Sequence, residues 1–217
     1  MDTLTKPLPD YLVTRYEGWK ATRYEQNKSW FRRLADEGQR PPMMVISCCD
    51  SRVNVNDLFS AQPGDIFLHR NIANLVPPYE PDGDPHGTSA AVEYAVSVLK
   101  VAHLLVLGHS NCGGVQGCAD MCSGKLPELE EKASFIGRWL DILRPGYERV
   151  KDIEDEPQRL RALEQQAVKE SLSNLIGFPF VKSAVEAEEL SLHGLWVDIR
   201  EGALLNYDGR KDDFVPV

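Results

Sequence analysis

Two short apolar runs constrain the fold of this chain more than any other feature of its sequence. Residues 43–47 and residues 104–107 carry no charged side chain and have the length of buried strands. Such uninterrupted runs are typical of parallel sheets, whose strands are covered on both faces. A further strand is predicted at residues 65–69, directly after the turn signal Pro63-Gly64.

The segments around these strands have mostly helical patterns. The alternation predicts an α/β fold, with a mainly parallel sheet flanked by helices, an N-terminal helical arm and a C-terminal hairpin strand. The 217 residues suffice for one sizeable domain, which we divide into an arm of residues 1–40 and a core of residues 41–217. The predicted elements are helices at residues 11–35, 87–99, about 129–143 and 158–175, and a hairpin of residues 192–199 and 203–207.

The charge balance excludes one class of partner. The chain has 33 acidic residues against 24 Lys and Arg, a formal net charge of -9. No basic surplus exists to displace counterions from phosphate, so we expect no nucleic-acid partner. No window approaches the ~20 consecutive apolar residues of a membrane span, and the first residues lack the apolar region of a secretory signal. We therefore expect no membrane partner and a cytoplasmic location, where thiols stay reduced.

The chain has five cysteines, all in its middle part: Cys48, Cys49, Cys112, Cys118 and Cys122. An odd number of cysteines in a reducing compartment does not indicate a disulfide framework. Metal binding or catalysis is the leading interpretation, and inert buried thiols are the alternative.

Two clusters of metal-ligating residues follow predicted strands. The sequence C-C-D-S-R at residues 48–52 comes after the first strand, and H-S-N-C at residues 109–112 comes after the strand of residues 104–107. If the two strands are neighbours, their carboxyl ends bring Cys48, His109 and Cys112 together. Two thiolates and an imidazole suit zinc and leave the fourth tetrahedral position open, as in a catalytic site.

The motifs C-x-D-S-R and H-x-x-C-G-G, about sixty residues apart, resemble those of the β-class carbonic anhydrases. The segments R-N-I-A-N at residues 70–74, L-V-P-P-Y at residues 75–79 and E-Y-A-V at residues 93–96 match the plant-like branch of that family. The resemblance covers about residues 10–207.

The resemblance implies a zinc enzyme that interconverts carbon dioxide and bicarbonate. Cys48, His109 and Cys112 would hold one Zn²⁺ per subunit. Asp50 would either bind the metal as a fourth ligand, closing the site, or pair with Arg52 and leave the position to water. In the open state, Asp50 would orient a zinc-bound hydroxide toward CO2, and activity would favour alkaline pH because two thiolates make the metal less electrophilic.

The same resemblance assigns residues around the metal. Gly113 and Gly114 open a helix whose backbone N–H groups would favour an anionic bicarbonate oxygen. Gln39 stands where the plant-like branch has a glutamine that donates to substrate. The apolar CO2 pocket, partly contributed by a second subunit, would include Phe67, Ile72 and Tyr94.

Two departures from the family concern regulation and proton transfer. Arg70 matches the arginine of a non-catalytic bicarbonate site in some bacterial members, but Val45 and Val197 replace its partners, so we expect that site to be absent. Val98 replaces a histidine of the plant-like enzymes, which leaves His86, His69 or buffer as proton acceptors.

Cys49 fills the variable position of C-x-D-S-R. Because adjacent strand residues point to opposite faces, we expect it to face away from the metal. Cys118 and Cys122 stand at helical spacing, as a regulatory dithiol or, the favoured interpretation, as inert thiols.

The same residues are compatible with other activities. Hydrolysis of carbonyl sulfide or carbon disulfide is the closest alternative, because these substrates share the linear shape of CO2. A non-catalytic zinc or redox protein is disfavoured by Asp50 and Arg52, which a structural site does not need. The family also implies a homodimer or homotetramer in which the aromatic N-terminal helices cover the neighbour.

Overall fold

The computed structural model describes residues 4–83, 86–130 and 134–217. The chain forms two compact units, Met1–Gln39 and Arg40–Val217. No helix among the described residues is both long and apolar enough to cross a membrane.

The first unit is helical, as predicted. Helix α1 (Asp10–Trp19) continues into a π-helical turn (Lys20–Tyr24) and is followed by α2 (Lys28–Glu37). Trp19, Tyr24 and Phe31 pack their rings together with centroids 5.4 to 5.8 Å apart. Tyr16 and Trp19 are nevertheless exposed, so these ring contacts leave part of the aromatic surface of the arm uncovered.

The second unit is built on a six-stranded sheet. Its strands are β1 (Met43–Cys48), β2 (Ile66–Asn71), β3 (His103–His109), β4 (Ser191–Val197), β5 (Leu204–Asp208) and β6 (Asp213–Pro216). Their order in the sheet is β2-β1-β3-β4-β5-β6. Strands β1 to β4 pair in parallel, and β4, β5 and β6 pair antiparallel. The mainly parallel sheet and the hairpin of β4 and β5 confirm the predicted fold class.

Seven helices accompany the strands in the described part of the second unit. Helix α4 continues as a π-helical segment (Tyr94–Leu99), so the predicted helix of residues 87–99 is confirmed. The helices are α3 (Val55–Leu58), α4 (Gly87–Glu93), α5 (Gly113–Cys122), α6 (Phe135–Leu140), α7 (Arg144–Val150), α8 (Glu156–Gly177) and α9 (Pro179–Glu186).

The long helix α8 matches the prediction for residues 158–175 and organises the core. Its N-cap Asp155 accepts a hydrogen bond from the Gln158 backbone N–H, and Pro157 stands in its first turn. It packs on β3 and β4, where Gly108 and Gly194 leave room: a Cβ added at either glycine would lie 2.8 Å from a side chain of α8. This close approach brings α8 to the edge of the sheet that carries the predicted metal ligands.

The prediction of a helix over about residues 129–143 is wrong in one respect, because the described residues of this segment do not form one continuous helix. The chain instead forms a 3₁₀ turn (Pro127–Glu130), helix α6 and a second 3₁₀ turn (Asp141–Leu143), while residues 131–133 lie outside the described residues. Ser134 caps α6 by accepting a hydrogen bond from the Gly137 N–H. A Cβ on Gly137 would collide with the Leu129 carbonyl, so the two segments cross too closely for one straight helix.

Candidate metal centre

The three predicted metal ligands lie together at the carboxyl edge of the sheet. β1 and β3 are neighbours in parallel register, so Cys48 at the end of β1 stands beside His109 at the end of β3. Cys112 follows as the N-cap residue of α5. All three residues are buried, and their donor atoms lie within 4.8 Å of one another; no other group of this kind occurs among the described residues.

The geometry of the donors fits zinc. The Sγ atoms of Cys48 and Cys112 are 3.8 Å apart, and two sulfurs bound at about 2.3 Å with a tetrahedral angle would stand about 3.8 Å apart. Nδ1 of His109 donates to the Ser110 carbonyl at 2.9 Å, so Nε2 carries the free lone pair. That buried Nε2 has no hydrogen-bond partner among the described residues, and an imidazole nitrogen left in this state is suited to a metal.

The two thiols are electrostatically unequal before any metal binds. The hydrogen bond from Cys112, together with the nearby His109 ring and the backbone N–H groups of Asp50 and Ala73, lowers the pKa of Cys48 well below its usual range despite burial. The pKa of Cys112 is raised because its proton is held by Cys48 and because it is buried. Burial disfavours a charged His109, but the nearby Cys48 sulfur, the Ser110 carbonyl and the Asp50 carboxylate raise its pKa overall. The site therefore holds one thiolate ready for a cation.

Asp50 is held by Arg52 in a bidentate pair. Arg52 Nε donates to Oδ1 at 2.9 Å and Nη2 donates to Oδ2 at 2.6 Å, while the Arg52 backbone N–H also donates to Oδ1. These bonds keep the pKa of Asp50 well below its usual range. Oδ2 still lies 4.0 Å from Nε2 of His109, so the carboxylate faces the centre without joining the three donors.

The loop that carries Asp50 is fixed by Arg70. Its guanidinium donates to the carbonyls of Cys48 at 2.8 Å, Asp50 at 2.6 Å and Val53 at 2.9 Å. The sequence associated Arg70 with a bicarbonate site expected to be absent and missed this structural role. Backbone carbonyls belong to every residue, so the sequence carries no motif that would reveal these three acceptors of Arg70.

The glycines after Cys112 differ in what surrounds them. A Cβ on Gly114 would lie 2.6 Å from Cγ2 of Ile72 and 3.0 Å from Cβ of Ala73, whereas a Cβ on Gly113 would meet no atom of the described residues within 4 Å. Gly114 therefore permits α5 to begin directly against the segment after β2. Gly113 is free of that constraint, and its N–H group stands at the start of the helix.

The predicted pocket residues are partly open to solvent. Phe67 and Tyr94 pack with ring centroids 5.8 Å apart. Tyr94 is 45% exposed and Ile72 is 38% exposed. Gln39 is exposed at the end of the first unit. Apolar rings with this much exposed surface are available to a small apolar molecule or to a partner chain.

Cys49 is exposed and lies outside the donor group, as predicted from strand alternation. It lines a cavity of about 510 Å³ that also includes His69, His86 and Trp139. The His86 and Trp139 rings stack with centroids 5.2 Å apart. Burial and the neighbouring His86 lower the pKa of His69. Both histidines suggested for proton transfer therefore line the same cavity as Cys49, next to the loop that carries Asp50.

Sequence reasoning missed a buried carboxyl group behind the site. Glu164 of α8 is only 5% exposed. Its Oε1 accepts from the Cys112 backbone N–H and its Oε2 from the Trp196 indole N–H, each at 3.2 Å. Burial raises its pKa, opposed by these two bonds. The sequence did contain one signal of this role, because Glu164 is an acidic residue within the apolar stripe of α8.

Comparison with known proteins agrees with this site. A family model described as carbonic anhydrase matches residues 43–204. Beta carbonic anhydrase 3 of Arabidopsis thaliana is 38% identical over 189 residues, which make up 85% of this chain and 70% of that protein.

Solved structures that resemble this chain are also β-carbonic anhydrases. The β-carbonic anhydrase CcaA superposes with a TM-score of 0.86 at 30% identity, covering 96% of this chain and 91% of that one. A tetrameric β-carbonic anhydrase from Sordaria macrospora gives a TM-score of 0.77 at 32% identity, covering 91% and 95%. The chain belongs to the carbonic anhydrase family, in its β class, a family of zinc enzymes.

Proposed function

We propose that this protein catalyses the reversible hydration of carbon dioxide to bicarbonate and a proton. The observation that carries the proposal is the convergence of Cys48, His109 and Cys112 on one buried point, with the carboxylate of Asp50 facing it but held by Arg52. Three donors and a retained carboxylate suit a centre that needs a free position for its reaction.

Zinc held by these three residues would lower the pKa of a water molecule to about 7 and so supply the nucleophile. Asp50, kept ionised by Arg52, accepts the hydrogen bond of the nucleophilic O–H group and turns its lone pair toward the carbon of CO2. Arg52 in turn prevents Asp50 from becoming a fourth ligand, since both carboxylate oxygens are engaged. The chain thus favours the open form.

The surrounding residues are assigned to the substrate. Phe67, Ile72 and Tyr94 would supply the apolar surface for CO2, and Gln39 would donate a hydrogen bond to bicarbonate. The N–H group of Gly113, at the start of α5, would bind a bicarbonate oxygen through the helix dipole. We propose His69 and His86 as alternatives to buffer for removal of the proton.

The proposal includes a homo-oligomer in the cytoplasm. Exposed Tyr16 and Trp19 on the helical arm, together with exposed Tyr94, offer apolar surface that a second copy would cover. A related enzyme is described as tetrameric, and we propose a homodimer or homotetramer. Analytical ultracentrifugation of the zinc-loaded protein distinguishes these two states from a monomer.

Stopped-flow CO2 hydration by the zinc-loaded protein, measured from neutral to mildly alkaline pH, tests the activity. We expect fast, zinc-dependent turnover that rises with pH. The zinc-free protein is the control for the metal, and the Cys118→Ala variant is the control for loss of a thiol elsewhere. Absence of turnover at every pH, with zinc confirmed bound, would refute CO2 hydration. Carbonyl sulfide and carbon disulfide would then be assayed under the same conditions, before a non-catalytic role.

A further inference from the structure

The peptide group between Asn111 and Cys112 is bound on one side by the Arg52 guanidinium and on the other by the Glu164 carboxyl group. Its carbonyl, on Asn111, accepts a hydrogen bond from Arg52 Nη2 at 2.9 Å. Its N–H, on Cys112, donates to Oε1 of Glu164 at 3.2 Å. A cation thus lies at the negative end of the peptide dipole and a carboxyl group at the positive end.

This peptide is placed where its position matters most for the metal centre. Asn111 has a left-handed backbone, with φ of 56°, a conformation that asparagine adopts more readily than most residues with a side chain. The next residue, Cys112, must hold its sulfur 3.8 Å from that of Cys48. A rotation of the peptide would move that sulfur directly.

Glu164 is an unusual residue for its position. It lies on the buried stripe of α8 with Leu163, Ala167 and Val168, and both of its oxygens accept hydrogen bonds. No lysine or arginine within the described ranges forms an ion pair with it, so the Cys112 N–H and the Trp196 indole are its main partners. Burying a carboxyl group is costly, and a glutamine has only one acceptor oxygen for two donors.

We propose that Glu164 is a positioning residue of the metal centre. It fixes the Asn111–Cys112 peptide from the side opposite Arg52 and thereby sets the position of the Cys112 sulfur. Because Arg52 also binds Asp50, Glu164 and the Asp50–Arg52 pair act on one peptide from two sides. The inference rests on the proposed zinc site, but it does not require that the centre hydrate CO2.

Two substitutions test the role of the side chain, with one matched control. Glu164→Gln keeps its size but leaves one N–H donor facing an amide nitrogen. Glu164→Asp keeps the carboxyl group but shortens the side chain by one methylene. Glu170→Gln makes the same chemical change on the same helix, where Glu170 pairs with Arg149 away from the metal loop.

The main readouts are zinc affinity by chelator competition and the visible spectrum of the cobalt-substituted protein, which reports ligand geometry. We expect both Glu164 variants to bind zinc about 10- to 100-fold more weakly and to show altered cobalt bands. Glu170→Gln should stay within about twofold of the wild type. Circular dichroism establishes which variants fold, and the Asp variant decides the matter if the Gln variant does not fold.

The wild-type protein gives an independent measurement. Its Cys112 amide should exchange slowly with deuterium, since it donates a hydrogen bond in a buried site; fast exchange would contradict the proposal. The proposal would also be overturned if the Glu164 variants kept the zinc affinity and the cobalt spectrum of the wild type, even if their melting temperatures fell. If the wild-type protein binds zinc but does not hydrate CO2, the proposed function is refuted. The role of Glu164 is then still decided by the zinc affinities, the cobalt spectra and the amide exchange.

Discussion

Two pairs of cysteines in this chain hold their sulfur atoms at nearly the same separation. The distance is 3.8 Å between Cys48 and Cys112 and 3.9 Å between Cys118 and Cys122. The first pair joins the end of β1 to the start of α5, across 64 residues, whereas the second lies on successive turns of α5. Distance alone would assign both pairs to a metal.

Their surroundings separate the two pairs. His109 offers a third donor to Cys48 and Cys112, and backbone N–H groups stabilise the Cys48 thiolate. Burial instead raises the pKa of both Cys118 and Cys122, and neither belongs to a group of three donors among the described residues. A pair of close sulfurs becomes a metal site when further donors converge on it and the thiolate is stabilised.

The largest effect is expected from removing the third donor. In His109→Ala, zinc content and CO2 hydration should both be lost, because only two of the three donors remain and loss of a supporting residue alone already costs about 10- to 100-fold. Cys118→Ala, which removes a buried thiol from the other pair, should retain zinc and activity. Metal analysis and stopped-flow assays measure both. Zinc loss in the Cys118 variant would break the distinction between the pairs.

Asp50→Asn should lower activity by about 10²- to 10⁴-fold, in the range of general acid–base groups, while zinc content is unchanged. The carboxylate is lost, but the three donors remain. Because its lowered pKa keeps Asp50 ionised well below neutral pH, the ratio of wild-type to variant rates should be constant from about pH 6 to 9. A ratio that changes across this range would show that Asp50 titrates there.

Gly114→Ala and Gly113→Ala form a matched pair beside the first cysteine pair. The added methyl at position 114 meets Ile72 and Ala73, so we expect a loss of about 1–3 kcal/mol in the free energy of unfolding and weaker zinc binding. At position 113 the methyl meets no described atom within 4 Å, and the free energy of unfolding should change by no more than about 0.5 kcal/mol. Chemical denaturation compares them. Equal losses would mean that packing at Gly114 does not set the position of the loop.

The smallest effect concerns ionisation of the zinc-free protein. The lowered pKa of Cys48 means that this side chain is a thiolate at neutral pH and becomes protonated only as the pH falls well below neutral. At neutral pH, Cys48→Ala should therefore remove one thiolate from the ultraviolet absorbance, whereas Cys118→Ala should remove none. Identical difference spectra would show that the two pairs do not differ in charge.

The sequence predicted most of the sheet and the metal donors because both depend on local patterns. Apolar runs gave β1 and β3, and cysteine and histidine at their ends gave the site. The helix at residues 129–143 was wrong because Ser134 and Gly137 produce a tight crossing that helical periodicity does not reveal. Strand β6 and helices α3, α7 and α9 were not predicted; α7 and α9 each begin near a proline that fits a helix start.

The sequence by itself determined the chemistry: two thiols, an imidazole, a carboxylate and a guanidinium at the ends of two strands. Only the tertiary structure decided how they are held. Arg70 binds three carbonyls of the Asp50 loop, and Glu164 reaches the Cys112 N–H because glycines in β3 and β4 let α8 approach. Such contacts join residues far apart in the chain, and their strength depends on burial and distance, which no local pattern records.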